Sequence, residues 1–177
     1  MAMGAAMLLS LGGDVSLMFV KFWEPVFILG LVLFLLAHIS YIIGFLHHEK
    51  NVETLHATSL RVMFDAIPFL TFGTIFYIFL FEHLGVLKIP VLLYTIVIST
   101  MGISAAIRYR WNSKMSFAIT LLGAVLFMTS DSLLAYNKFV EPFNHASFVI
   151  MLTYILAQLF IMRGMLFQLT MNNEQLK

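Results

Sequence analysis

Gly13-Asp14-Val15-Ser16-Leu17-Met18-Phe19-Val20-Lys21-Phe22-Trp23-Glu24-Pro25 recurs, without a gap, as Ser130-Asp131-Ser132-Leu133-Leu134-Ala135-Tyr136-Asn137-Lys138-Phe139-Val140-Glu141-Pro142. The two copies share an aspartate, a leucine and a closing Lys-Phe-x-Glu-Pro. Each aspartate lies inside or at the edge of a long apolar run. An ionisable side chain is costly there and marks a functional site by default.

Those runs decide the class. Of 177 residues, 61% are hydrophobic and 11% charged, with a mean hydropathy of +0.96. So few charges cannot cover a water-facing surface. Apolar runs of about 20 residues, the length that crosses a bilayer as helix, recur along the chain. The prediction is an all-α polytopic transmembrane bundle of six helices, near 2–20, 25–46, 60–82, 86–107, 114–136 and 144–168. Residues 1–171 form one domain and 172–177 a short, frayed cytoplasmic tail. Pro25 and Pro90 stand near helix starts and Pro68 falls inside the third span, where it predicts a kink. A net charge of +1 speaks against nucleic acid as a partner. The absence of cysteine excludes disulfides, thiol nucleophiles and thiolate zinc sites.

Cation placement gives an orientation. Lys50, Arg61, Arg108, Arg110, Lys114, Arg163 and Lys177 fall on one side, against Lys21, Lys88 and Lys138 on the other. The positive-inside rule makes the first side cytoplasmic, with both termini there. Spans one and five then run in the same direction, and their aspartates lie at similar depth. A same-direction repeat implies two halves related by an axis along the membrane normal. Both carboxyls would sit at the seam. The alternative is that each aspartate caps its own helix end or pairs with the lysine seven residues on, which shares its helical face.

Other polar residues interrupt the apolar runs. His38 and Tyr41 share a helix face, as do Tyr154 and Gln158, and the repeat lays Tyr41 on Gln158. Buried imidazole, phenol and amide groups need partners. They act as interhelical glue or line a wet cavity between spans one, two, five and six. Arg61 and Asp65, four apart, are expected to pair. Arg108 reads as a snorkelling side chain or a lipid-phosphate contact. His47-His48-Glu49 reads as a solvated loop rather than a metal site, since adjacent residues chelate poorly. No glycine-rich phosphate loop and no G-x-S-x-G elbow occurs.

Gly13-Asp14-x-x-Leu17, Gly30-Leu31-x-x-Phe34-x-x-Ala37-His38-x-x-Tyr41, Gly123-Ala124-x-Leu126-Phe127-x-x-Ser130-Asp131-x-x-Leu134-Ala135-x-x-Lys138-Phe139 and Tyr154-x-x-Ala157-Gln158 occur in this order. Together they resemble the lysoplasmalogenase (YhhN-like) family of integral membrane proteins. The resemblance implies hydrolysis of the vinyl ether bond of lysoplasmalogens to a fatty aldehyde and a glycerophospho-ethanolamine or -choline. It implies Asp14 and Asp131 as the catalytic pair. His38, Tyr41, Ser130, Lys138, Tyr154 and Gln158 would then line the cavity or bind substrate. Members usually have eight spans, and the first span here corresponds to the third. The chain is therefore expected to lack the first two, which the repeat would match to spans three and four. The implied partners are a lysophospholipid substrate and membrane lipid. The membrane would be the endoplasmic reticulum in a eukaryote or the inner membrane in a bacterium.

The chemistry suits two carboxyls. A vinyl ether yields once its β-carbon is protonated, giving an oxocarbenium ion that water captures. One carboxyl must carry the proton, while the other, ionised, stabilises the cation, a division of labour shared with glycosidases. No metal or organic cofactor is called for. The competing readings are a non-enzymatic lipid-binding protein or proton-coupled transporter, and a metal-dependent hydrolase that adds His38 to the aspartates.

Overall fold

The computed structural model describes residues 2–20, 23, 25–46, 55–110 and 112–175, with side chains outside 55–61, 110 and 172–175. These residues form six α-helices: α1 (Ala2–Met18), α2 (Val26–Leu46), α3 (Leu55–Leu80), α4 (Lys88–Ala106), α5 (Lys114–Phe139) and α6 (Ala146–Gln175). The expected all-α bundle of six helices is what is found. Five stretches are long and apolar enough to cross a membrane: Val26–Leu46, Val62–His83, Gly85–Tyr109, Lys114–Phe139 and Ala146–Met171. At 17 residues α1 is apolar but shorter, about 26 Å at the usual helical rise.

Helix ends depart from the apolar runs for a simple reason. Apolarity marks what sits in lipid, whereas the backbone ladder continues wherever no breaker stops it. So α3 begins at Leu55 rather than 60, and α6 reaches Gln175 rather than 168. Pro68 is accommodated inside α3, and Pro25 directly precedes α2. The α3–α4 reversal runs through two short 3-10 turns, Phe81–His83 and Gly85–Leu87. Gly85 adopts φ +50° there, a left-handed conformation that side chains disfavour. Ser113 caps α5 by accepting a hydrogen bond from the Ser116 amide at 3.2 Å.

The packing repeats as the sequence does. The two most extensive helix pairs are α1 with α2 and α5 with α6, and α4 joins them by touching α2, α3 and α5. Lipid tails supply no hydrophobic drive between helices, so close backbone approach and interhelical hydrogen bonds hold such pairs. A Cβ on Gly123 would stand 2.7 Å from the Ile161 amide nitrogen and 2.9 Å from the Ala157 carbonyl. One on Gly164 would meet the Thr120 amide nitrogen at 2.9 Å and the Ser116 carbonyl at 3.0 Å. Across the same seam the Ser116 hydroxyl donates to the Gly164 carbonyl at 2.7 Å. In the other half, Gly13 admits the Phe34 ring and Gly30 admits Leu17.

A hydrogen bond joins the halves at equivalent positions. The Tyr41 hydroxyl donates to Gln158 Oε1, 117 residues away, the separation that also lays Asp14 on Asp131 (131 minus 14). A residue that touches its own repeat-mate lies at the axis relating the two copies, as in an isologous interface. The glue reading of this pair is therefore realised.

Arg108 corrects an expectation. It does not snorkel to lipid; its side chain is fully buried. Its guanidinium donates to the Phe45 carbonyl at 3.4 Å and to Gln168 Oε1, and it stands over the Phe45 ring at 5.4 Å. Hydrogen bonds from this fixed fork to α2 and to α6 make it a clamp between helices rather than a lipid anchor. The expected Arg61–Asp65 pair lies outside the described residues, because the Arg61 side chain is among those not described.

Three outcomes follow for stability. Gly123→Val and Gly164→Val are each expected to destabilise the bundle by about 1–3 kcal/mol through overpacking. Gly4→Ala, where nothing lies within 4 Å, leaves the thermal midpoint in detergent unchanged or slightly raised. Arg108→Ala orphans the buried Gln168 amide, at a cost of about 1–3 kcal/mol, and thermal unfolding followed by circular dichroism reads the loss.

Candidate active site

Asp131 stands on α5, a little over two turns before the helix ends at Phe139. Its side chain is 11% exposed, so its oxygens must find partners in the protein. The Tyr94 hydroxyl, from α4, donates to Oδ2. His38, from α2 and fully buried, brings Nε2 to 3.4 Å from the same oxygen. The imidazole is held in place by Nδ1, 2.6 Å from the Phe34 carbonyl one turn earlier. It is also held edge-on to Phe127 (centroids 4.7 Å apart) and Tyr94 (5.4 Å). Three helices thus converge on one carboxylate oxygen.

Asp14, on α1, has a different partner. Its carboxyl takes a side-chain hydrogen bond from Tyr154 of α6. The Tyr154 oxygen in turn accepts from Gln158 Nε2 at 3.1 Å, and Gln158 Oε1 accepts from Tyr41. The four groups form one relay from the axis of the repeat to Asp14, in which the two middle members, Gln158 and Tyr154, both donate and accept. The two carboxyls are close enough to feel each other's charge. The Phe34 ring lies against the Gly13 backbone beside Asp14 and edge-on to Tyr154 at 6.0 Å.

A pocket opens in front of Asp131. It contains about 720 Å³ of free volume, open mouth included. Phe27 and Leu31 of α2, Phe72 and Phe76 of α3, Val91 of α4 and Ala135 of α5 are among its walls, and polar groups are few: Tyr94, Thr95, Ser99, Asp131 and Ser132. Phe72 is 45% exposed and stands at the rim. Among the described residues, Asp131 is the carboxylate in this wall. A carboxyl at one side of an otherwise apolar slot suits a single hydrocarbon chain with one reactive, weakly polar group.

The expected cavity between spans one, two, five and six is placed differently. The larger pocket lies among α2, α3, α4 and α5, because α3 packs on α4 and leaves room against α2. Asp14, His38, Tyr154 and Gln158 are not among its lining residues; they belong to the polar network just described. Tyr41 and Gln158 flank a much smaller second pocket beside Met3 and Met7. Ser130 corrects another expectation. It is buried, and its hydroxyl donates to the Ile150 carbonyl at 2.9 Å, tying α5 to α6. Ser132, two positions on and so on the opposite side of the helix, is the one in the pocket wall. Lys138 has its Nζ 5.1 Å from the centroid of Phe27, a pocket residue. The loop His47-His48-Glu49 lies outside the described residues. Among those described, no group of three metal-ligating side chains comes together.

Tyr94 is the residue that sequence reasoning missed. The signal that singled out Tyr41 and Tyr154, a phenol inside an apolar span, applied equally to it, but span four lies outside the repeated phrase.

The sequence is similar to several known proteins. Lysoplasmalogenase TMEM86B of Sus scrofa is 31% identical over 157 residues, covering 88% of this chain and 59% of the relative. Lysoplasmalogenase TMEM86B of Homo sapiens is 29% identical over the same shares. A Mycobacterium tuberculosis lysoplasmalogenase is 29% identical over 164 residues, covering 92% of this chain and 59% of the relative. The chain spans about three fifths of the length of these curated relatives. No solved structure matches it. The YhhN family profile matches residues 1–165, nearly the whole described bundle and every polar group of the site, and the chain belongs to the YhhN family.

Proposed function

We propose that the protein is a lysoplasmalogenase-type hydrolase that cleaves the vinyl ether bond of 1-alkenyl glycerophospholipids by acid/base catalysis with Asp14 and Asp131. The observation that carries this reading is the Asp131 carboxyl facing an apolar pocket, with Asp14 within electrostatic reach. The named activity of the relatives supports it.

The alkenyl chain fills the slot walled by Phe27, Leu31, Phe72 and Phe76, and its vinyl ether lies against Asp131. One carboxyl gives its proton to the β-carbon, and the π electrons form the new C–H bond. The adjacent ether oxygen shares the resulting positive charge as an oxocarbenium ion. The other carboxylate stabilises that ion and takes a proton from the attacking water. The hemiacetal so formed breaks its bond to the glycerol oxygen, which leaves protonated, and the aldehyde is released. One vinyl ether and one water give one aldehyde and one alcohol, and the enzyme's proton is restored. Charged partners aimed at a developing cation in a dry site act far more strongly than in water. Both termini are assigned to the cytoplasmic side, from the distribution of cations.

Purified protein in detergent is expected to release aldehyde from a lysoplasmalogen and none from its ester-linked counterpart. Asp14→Asn and Asp131→Asn should each lower kcat by about 10²–10⁴-fold, the usual worth of a general acid or base, while thermal unfolding stays cooperative. A lipid carrier would make no aldehyde at all in detergent, and full activity in either mutant removes that residue from the chemistry. Ala135→Phe, which blocks the pocket, should raise KM most for the longest chains. Each methylene denied burial is worth about 0.8 kcal/mol, so KM measured across a series of chain lengths should lose its dependence on length.

A further inference from the structure

We infer that Asp131, not Asp14, is the proton-carrying carboxyl, and that His38 is its positioning residue, Nε2 accepting a hydrogen bond from a protonated Asp131. The inference rests on the reading above for its catalytic meaning, but its structural content stands alone. Counting protons around Oδ2 leads to it. His38 Nδ1 lies 2.6 Å from the Phe34 carbonyl, an acceptor with no hydrogen to give. Nδ1 must therefore carry the ring proton, which leaves Nε2 of the neutral imidazole as a bare lone pair. That nitrogen is buried with no donor directed at it and faces Asp131 Oδ2 at 3.4 Å.

Oδ2 itself already accepts from the Tyr94 hydroxyl. An ionised carboxylate would thus set lone pair against lone pair inside a fully buried ring site, which is repulsive and leaves Nε2 unsatisfied. One proton between Oδ2 and Nε2 removes the conflict. Placing it on the carboxyl keeps both groups neutral, whereas placing it on the ring would bury a separated ion pair among Phe34, Phe127 and Tyr94, at a desolvation cost that a 3.4 Å contact repays poorly. Asp14 differs in that the His38 imidazole faces Asp131 instead. Its described partner, Tyr154, is a donor, as an ionised carboxylate requires. The same assignment puts the acid in the pocket wall, where the alkenyl chain lies, with the Asp14 carboxylate within electrostatic reach of it.

In the reaction, Asp131 passes this proton to the β-carbon and becomes a carboxylate. Tyr94 then stabilises the new charge through the hydrogen bond already in place. The proton of the attacking water goes to Asp14, and the glycerol oxygen takes up that proton as it leaves. The second proton of the former water, on the hemiacetal hydroxyl, returns to Asp131 as the carbonyl forms, and His38 Nε2 again receives the hydrogen bond. His38 orients the acidic proton and touches no reacting atom.

Infrared spectroscopy of the purified protein in detergent tests this without substrate, since a protonated carboxyl has a C=O stretch separate from those of amides and carboxylates. A buried protonated-carboxyl band should be present, should vanish in Asp131→Asn, and should persist in Asp14→Asn. His38→Asn keeps a donor for the Phe34 carbonyl but has no Nε2. There the band should move to the frequency of a more weakly hydrogen-bonded acid, kcat should fall at least tenfold, and KM should change less than twofold. A band that vanishes in Asp14→Asn and survives in Asp131→Asn, or no such band in the wild type, overturns the assignment. An unmoved band in His38→Asn overturns the role of His38, even if that variant is unstable and inactive. Absence of aldehyde with the expected bands would instead count against the proposed reaction, and leave the proton where it is placed here.

Discussion

A polar group enclosed in an apolar bundle must be paired by another polar group of the protein, and nearly every specific feature of this chain follows from that requirement. Asp131 collects the Tyr94 hydroxyl and the His38 ring from two other helices. Asp14 collects Tyr154, and behind it Gln158 and Tyr41. Arg108 collects the Phe45 carbonyl and Gln168. Where apolar contact between helices is worth little more than contact with lipid, these pairings fix which helix neighbours which and in what register. The small residues of α5 and α6 then let the backbones close on the positions so defined.

The same constraint separates two kinds of environment only a few side chains apart. One carboxyl sits in the wall of an apolar slot and the other behind an aromatic layer, each with its own hydrogen-bond partners. Two chemically identical groups thus meet different partners, the condition under which paired carboxyls divide their roles elsewhere. The repeat supplied two aspartates. Departures from the repeat distinguish them, because His38 and Tyr154 are not matched by their like in the other copy: Ile155 stands where a second His38 would be, and Ala37 where a second Tyr154 would be.

The axis of the repeat is itself part of the polar network. Tyr41 and Gln158 are repeat-mates that bond each other, so the point at which the halves meet is also the far end of the relay to Asp14. α4, which stands outside the α1–α2 and α5–α6 pairs, bridges them and delivers Tyr94. The pocket exists because α3 leans on α4 and away from α2, leaving apolar walls that no side chain fills.

The sequence by itself determined the class, the helix count and the repeat, because hydropathy and helical period are local properties that a bilayer reads directly. It also singled out Asp14, Asp131, His38, Tyr41, Tyr154 and Gln158 as polar residues conspicuous against their apolar neighbours. It misplaced Ser130 and Arg108, whose partners Ile150, Phe45 and Gln168 lie far along the chain, and it passed over Tyr94, which no repeated phrase flags. Only the tertiary structure decided which polar groups face one another, that Asp131 alone of the two aspartates lines the pocket, and that α3 and α4 help to form it. Those are matters of helix rotation and neighbour choice, set by contacts between residues tens to more than a hundred positions apart, and no local pattern carries them.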